Sequence, residues 1–538
     1  MDLLITVFSL LVAIYASFPR ERRLDLRLRF GTLDALIFAF GVIAVAYLDL
    51  YTFFKIHGLV FTPPKWSRGF TKIQASHVVL VTMLVTLGLR SRFARLTRGK
   101  ITRFQQLADE LLWSESYLDL LFLFEAHLPK FFVLYHGDGV LQRFRAKYAP
   151  QITIEYLLRL KTQPPRSKGS RVISKVLRPL LSLIPEHKVH HAIVVQTAHN
   201  ILQSKGFVST LARARPYLGL EIITNLRTQG DKWFREEFVE LFMTELLSNH
   251  SSVYYTELAN SRNMSGMHRY SIPANNRLLT FLLSEATIAQ ELEVYRPVGN
   301  FVLKELDRLS RTPESDDYNL AFTEDEMFLS QSPLFAGVHF FDLMVSEALF
   351  QNITWHMWLY YCTNIVEKTV RNYKPARDPS IREESEFPIW YSRLLHDIFD
   401  AMRNWIVALE DVPATQENIR LTSTRPDHQN DNIPKSSILA VSVCVRTILL
   451  ADNLHGKLKD ALMSIVFRTY FELRCSARGE PYAEVLREAL AAGGFGYGTF
   501  GLEASDAIYR TRLRGALLRQ DRFDYLPDHF SELETFLS

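Results

Sequence analysis

The chain has 538 residues, 48% hydrophobic and 22% charged, with a formal net charge of +4 at neutral pH. That usage is globular with a membrane surplus and excludes a disordered chain, and so small a charge gives no reason to invoke a nucleic-acid partner. The three cysteines, Cys362, Cys444 and Cys475, are far apart in apolar runs, which reads as reduced core thiols in a cytosolic compartment with no CxxC pair for metal or redox work.

Residues 1–100 carry three apolar stretches, about 3–18, 33–54 and 73–89 (Leu3–Phe18, Leu33–Phe54, Ile73–Leu89). Crossing a hydrocarbon core takes about 20 apolar residues, roughly 17–25. The second stretch meets that length; the first and third approach it, and snorkelling flanks or a thinned bilayer make up the difference. Met1-Asp2 precedes the first run and Pro19-Arg20-Glu21-Arg22-Arg23 follows it, so it lacks the basic start of a signal peptide and reads as a retained anchor. Three N-terminal transmembrane helices are expected, then a large cytosolic body with no further span.

The basic residues set the direction. Arg20, Arg22, Arg23, Arg27 and Arg29 follow the first span, and Arg90, Arg92, Arg95, Arg98, Lys100 and Arg103 follow the third. Cytosolic flanks hold such clusters, so an external N-terminus and a cytosolic C-terminal domain are expected, in a bacterial inner membrane. The intervening loop, Lys55–Lys72, is then external. It is itself basic, which opposes the assignment, and its Phe61, Trp66 and Phe70 suit an interfacial belt. Asp34 and Asp49 sit near opposite ends of the second span and His77 about one turn into the third. Ionisable groups in a membrane are functional candidates by default, whereas at headgroup depth they are merely solvated.

Apolar residues at three- and four-residue spacing make the rest all-α: Phe104–Leu123, Val172–Ile184, His190–Leu202, Phe234–Leu247, Arg277–Leu292, Phe301–Leu309, Phe335–Val366, Trp390–Leu409, Ile438–Leu450 and Leu458–Leu473. They group into a membrane-proximal segment (101–165), a helical lobe (172–310) and a second lobe (320–538) with a polar loop at 411–436; the Pro- and Gly-containing stretch Thr162–Arg171 reads as a linker. Ser252–Leu258 is the best strand candidate, and Leu24–Phe30 also alternates but suits an interfacial segment at the membrane edge. Leu118–Leu134 is apolar yet contains Asp119, Glu125, His127, Pro129 and Lys130. It is too costly to bury in lipid and reads as a core or interfacial helix at the join between body and membrane, with Phe122 and Phe131 as coupling residues.

Three constellations bear on chemistry. His187, His190 and His191, with His199 two turns on, have the helical spacing that presents imidazoles to zinc. No carboxylate base lies between them as in HExxH, and Pro185 places them at a helix start, where they solvate easily. Gly496, Gly498 and Gly501 spell GxGxxG, but a helix rather than a strand precedes them, so they read as a flexible turn.

The third is Leu394-Leu395-His396-Asp397-Ile398. It resembles the core motif of the HD-type metal phosphohydrolases, an all-helical family. The resemblance implies a divalent metal held by His356, His396, Asp397 and Asp452, activating water against a phosphoester. The chain departs from the pattern in Phe399-Asp400, where Gly-Lys commonly stands, and in the distance of His356 upstream.

Residue patterning thus leads to a membrane-anchored helical sensor, effector or scaffold that binds a protein partner or ligand, or self-associates, with the lipid bilayer as its constant partner and no cofactor. By analogy of layout, such proteins serve as prokaryotic stress or phage-defence effectors. The alternative is a tethered HD-type phosphohydrolase with its divalent metal.

Overall fold

A computed structural model of the chain describes residues 9, 13, 15–59, 71–93, 96–136, 188–229, 232–263, 268–354, 358–374, 385–422, 432–493, 505–520 and 527–537. The architecture is all-α; the only strands among the described residues are β1 (Arg262–Asn263) and β2 (Tyr270–Ser271), an antiparallel pair with Arg262 opposite Ser271. The chain divides into two compact units, Met1–Leu211 with Asn225–Gly230, and Ala212–Thr224 with Asp231–Ser538. The division falls inside the segment 172–310.

The principal helices of the first unit are α1 (Arg20–Arg29), α2 (Thr32–Asp49), α3 (Lys72–Phe93), α4 (Ile101–Trp113), α5 (Tyr117–Tyr135) and α6 (Lys188–Leu202). The first apolar stretch, 3–18, and the linker, 162–171, lie largely or wholly outside the described residues. α2 begins where the Gly31 amide donates to Asp34 Oδ2 at 2.8 Å, and a short helix, Tyr51–Ile56, extends it across the expected second span. It pairs with α3, the expected third span. Gly41 permits the close approach: a Cβ there would lie 2.4 Å from Met83 Sδ. The outer faces of the pair are apolar and exposed, with Leu36, Phe40 and Ile43 on α2 and Val78, Val81, Val85 and Leu89 on α3.

α1 lies at 88° to the segment Asp34–Asp49. Leu24–Phe30, expected to be an alternating interfacial segment, belongs to this helix. Leu24 and Leu28, four residues apart, share one helical face and are buried, and α1 packs on α5. Arg20 pairs with Asp119 at 3.1 Å, and Asp25 faces His127 at 3.0 Å. Phe104, Phe124, Phe131 and Phe132 form an aromatic core on α4 and α5. The expected single helix Phe104–Leu123 breaks at Ser114–Ser116, where Glu115 takes a positive φ of 53°.

In the second unit we label α7 (Val253–Asn260), α8 (Tyr295–Arg311), α9 (Glu326–Gln331), α10 (Pro333–Phe350), α11 (Leu359–Asn372), α12 (Trp390–Val407), α13 (Ile433–Leu450), α14 (Gly456–Arg474), α15 (Glu480–Ala492) and α16 (Ser505–Leu518). α10 and α13 are its two apolar axes. Each starts with a side-chain cap and a proline: Ser332 Oγ accepts from the Phe335 amide ahead of Pro333, and Asn432 Oδ1 from the Lys435 amide ahead of Pro434. α7, α8, α9 and α12 pack on α10; α11, α12, α15 and α16 pack on α13.

This corrects the expectation that no segment beyond the N-terminal region is long and apolar enough to span. Three described helices qualify by length and composition: Ile73–Arg90, Pro333–Phe350 and Ile433–Leu450. Burial separates them. The first is 22% buried, the second 83% and the third 78%. An apolar helix wrapped by amphipathic helices such as α8 and α12, which carry Arg308, Arg393 and Arg403, is the centre of a globular core, whereas one that exposes its apolar face needs an apolar solvent.

Three further expectations are corrected. Ser252–Leu258 is helical: Tyr254, Tyr255 and Leu258 all turn inward from α7, a three- and four-residue spacing that over seven residues also reads as alternation. Phe335–Val366 is two helices, separated where Asn352 takes a φ of 57°. Cys475 is exposed, unlike Cys362 and Cys444, because it terminates α14. The described part of the 411–436 loop is tied down. Asn418 Nδ2 donates to the Ala348 and Leu349 carbonyls at 3.2 and 2.9 Å, and Arg478 Nη2 donates to the Val412 carbonyl at 2.8 Å. Gly493 ends α15 with a φ of 71°, the left-handed cap that glycine adopts without strain; the rest of the glycine run lies outside the described residues.

Candidate functional site

The second unit contains a cleft of about 970 Å³ between α7, β2, α9, α10 and α12. Helical periodicity builds two of its walls. Phe335, Val338, His339 and Asp342 line it from α10, and Arg393, Asp397, Asp400 and Ala401 from α12, in each case at one- to four-residue steps along one face. Tyr255, Leu258 and Ser261 contribute from α7 and its end, Tyr270 from β2, and Glu326, Met327 and Ser330 from α9.

Asp342 is the chemical centre of this wall. It is buried, and its two oxygens take different donors: Trp405 Nε1–H at 2.8 Å on Oδ1, and the Tyr270 hydroxyl on Oδ2. Burial pushes its carboxyl up to about 6; the two hydrogen bonds oppose the shift, and the carboxylates of Asp400 and Asp397 add to it. The Tyr270 phenol is raised in turn, first by burial and then by Asp342. The ring of Tyr270 meets His339 edge-on at 5.4 Å. Burial holds the His339 imidazole below its usual value, against hydrogen bonds to backbone at Leu258 and Ser261. The result is a Tyr270–Asp342–Trp405 network whose carboxyl changes charge near neutral pH. Such a wall suits recognition of a hydrogen-bond donor or cationic group.

The HD positions are not drawn into one ligand set. His396 and Asp397 are neighbours on α12, but Asp397 pairs with Arg393 at 2.9 Å, while His396 meets the edge of Phe387 at 4.9 Å and lies 3.7 Å from Asp397. Asp452, just beyond α13, is solvent-facing and bonded to Arg512 at 3.0 Å. His356 lies outside the described residues. Among the described residues no three His, Cys, Asp or Glu side chains are grouped to hold a metal ion. Of the histidine cluster, His191 is exposed on α6 and His187 lies outside the described residues.

The membrane-side residues are placed as follows. Asp34 is buried at the start of α2 and ion-paired to Arg90 at the far end of α3. Asp49 is the last residue of α2. His77 Nδ1–H donates to the Ile73 carbonyl one turn back, at 2.6 Å. Arg22 is exposed and Arg23 half-buried on α1, whereas the side chains of Arg92, Arg95 and Arg98 lie outside the described residues. Phe131 is fully buried among Phe104, Phe124 and Phe132, so it serves the core of the first unit; Phe122 is half-buried.

Sequence reasoning missed the cleft and with it Tyr270, His339 and Asp342. One signal was present: Asp342 is the lone aspartate in the apolar run Phe335–Phe350, and a charge there demands a partner. Comparison of the chain with family models, with curated proteins and with solved structures gives no match.

Proposed function

We propose that this is a membrane-anchored helical sensor whose second unit takes up a small molecule in the α7–α10–α12 cleft. The observation that carries the reading is the cleft itself. At about 970 Å³ it is at the upper end of the range that encloses a drug-sized molecule. Its wall combines aromatic faces with a buried carboxyl, Asp342, that is half-ionised near pH 6. The apolar outer faces of α2 and α3 support the anchor. On this reading the chain catalyses nothing; occupancy of the cleft is the signal, read out by self-association or a protein partner, and a membrane effector role in a prokaryote follows the same layout.

The test is native mass spectrometry of the detergent-purified full chain, with a thermal-shift screen of metabolites that includes amines. Ala401→Trp fills the cleft from α12. The wild type should carry or be stabilised by a small molecule, and the variant should lose that response while keeping its helical signal. A wild type with no bound mass and no shift against any compound sinks the sensor reading.

A further inference from the structure

We infer that the corner where α1, α2 and α3 meet is a binding site for one anionic phospholipid, its phosphate at the Arg90–Lys100 end and an acyl chain in the groove between α2 and α3. The inference rests on the membrane-anchor reading and goes beyond it by naming a lipid class and a place.

Two independent features meet at this corner. The first is charge. Lys100 Nζ donates to the Arg29 carbonyl, and Arg103 Nη1 donates to the Phe30 carbonyl at 2.7 Å, so both cap the C-terminal end of α1. Arg90 pairs with Asp34, and Arg29 with Asp25 at 2.8 Å. Among the described residues, Arg29, Arg90, Lys100 and Arg103 thus gather about two carboxylates, Asp25 and Asp34. Burial holds the Lys100 amine below its usual value, opposed by Asp34 and aided by Arg90, Arg103 and Arg29. Arg22 and Arg27 add exposed positive charge on α1 and make no ion pair among the described residues.

The second feature is an apolar groove of about 510 Å³, lined by Leu36, Ile37 and Phe40 on α2 and by Val79, Thr82 and Thr86 on α3. Thr86 stands one turn before Arg90, and Ile37 three residues after Asp34, so groove and ion pair share one face of each helix. The groove thus runs from the charged end towards the middle of the hairpin. α1, nearly perpendicular to α2, has the direction of a helix lying in the headgroup plane while α2 descends. An acyl chain fits the groove, and a phosphate fits the surplus of cations. A zwitterionic headgroup would bring its own cation to a site already in excess of positive charge.

The experiment uses the full chain in nanodiscs of mixed phosphatidylglycerol and phosphatidylcholine, with native mass spectrometry counting the lipids retained on release. Phosphatidylglycerol should be retained in preference. Arg90→Gln should lower that preference about fivefold, the worth of one cation at a membrane surface, and Arg90→Lys should restore it. Thr86→Phe blocks the groove but leaves every ion pair in place, so it keeps the test valid if Arg90→Gln unfolds. It should abolish retention while the chain still resists carbonate extraction. Equal retention of the two lipids by a carbonate-resistant wild type overturns the lipid site and leaves the anchor standing. Release by carbonate overturns the anchor and this inference together.

Discussion

Asp342 and Asp25 are perturbed in opposite directions, and the contrast can be measured. The folded-state carboxyl of Asp342 is raised to about 6 by burial, above its unfolded value. Such a group contributes stability in full below the unfolded value, near 4, and loses it as pH rises through about 6. Asp342→Asn removes this titration and one of two hydrogen bonds, a pH-independent cost of about 1 kcal/mol. The advantage of wild type over variant should therefore be greatest near pH 4 and shrink by pH 7, read from thermal melts. A constant difference would mean that Asp342 is not perturbed. For Asp25, burial acts upward, but hydrogen bonds from His127 and Arg29 and their charges outweigh it and lower the carboxyl. Its contribution is present above the unfolded value and lost as pH falls through the folded one. Asp25→Asn should thus cost more stability at pH 7 than at pH 3. An equal cost at both would assign Asp25 a packing role only.

At the scale of helices, close packing decides which residues tolerate change. Phe131 is fully buried on α5, so Phe131→Ala should cost about 3–5 kcal/mol, read as proteolytic opening of residues 101–136; a near-neutral effect would show that the aromatic core of α4 and α5 closes around the lost ring. Gly299 on α8 admits Tyr361 of α11 so closely that an added Cβ would lie 2.2 Å from its Cδ1. Gly299→Ala should cost about 1–3 kcal/mol in a denaturant melt, and an unchanged midpoint would show that the α8–α11 crossing relaxes freely. These contacts explain what the sequence could and could not tell. Amphipathic runs such as Trp390–Leu409 announce their helix because one period controls both pattern and burial. The break at Ser114–Ser116 was invisible, since Glu115 is not a residue that advertises a positive φ. The cleft was illegible for a different reason: its walls come from residues 255–270, 326–342 and 393–401, and no local period reports that three segments converge. His396-Asp397 shows the converse, a dipeptide legible in the string whose expected partner Asp452 is engaged elsewhere by Arg512.

For the whole molecule, the deciding quantity is how much of each apolar helix the protein itself covers. α10 and α13 are covered by their neighbours, whereas Ile73–Arg90 is 22% buried and leaves its apolar face to the surroundings. α3 has 22 residues, and at 1.5 Å each a helix of that length extends about 33 Å, enough to cross a hydrocarbon core of about 30 Å. Its ends should therefore lie on opposite sides of the membrane. Thr71 and Thr97, exposed just beyond the two ends, are the places to ask. Cys475 is the one exposed cysteine, and Cys362 and Cys444 are buried, so Cys475→Ser alone silences the background. In that chain a membrane-impermeant maleimide applied to intact cells should label Thr71→Cys at once, and Thr97→Cys only after the membrane is opened. The expected direction follows from the basic residues at and beyond the end of the helix, Arg90 to Arg103, a pattern that the membrane potential and an anionic inner leaflet favour on the cytosolic side. Labelling of both positions from one side would mean that α3 does not span. The reversed pattern would keep the span and invert the orientation, and the body that carries the cleft would then have to be sought outside the cytosol.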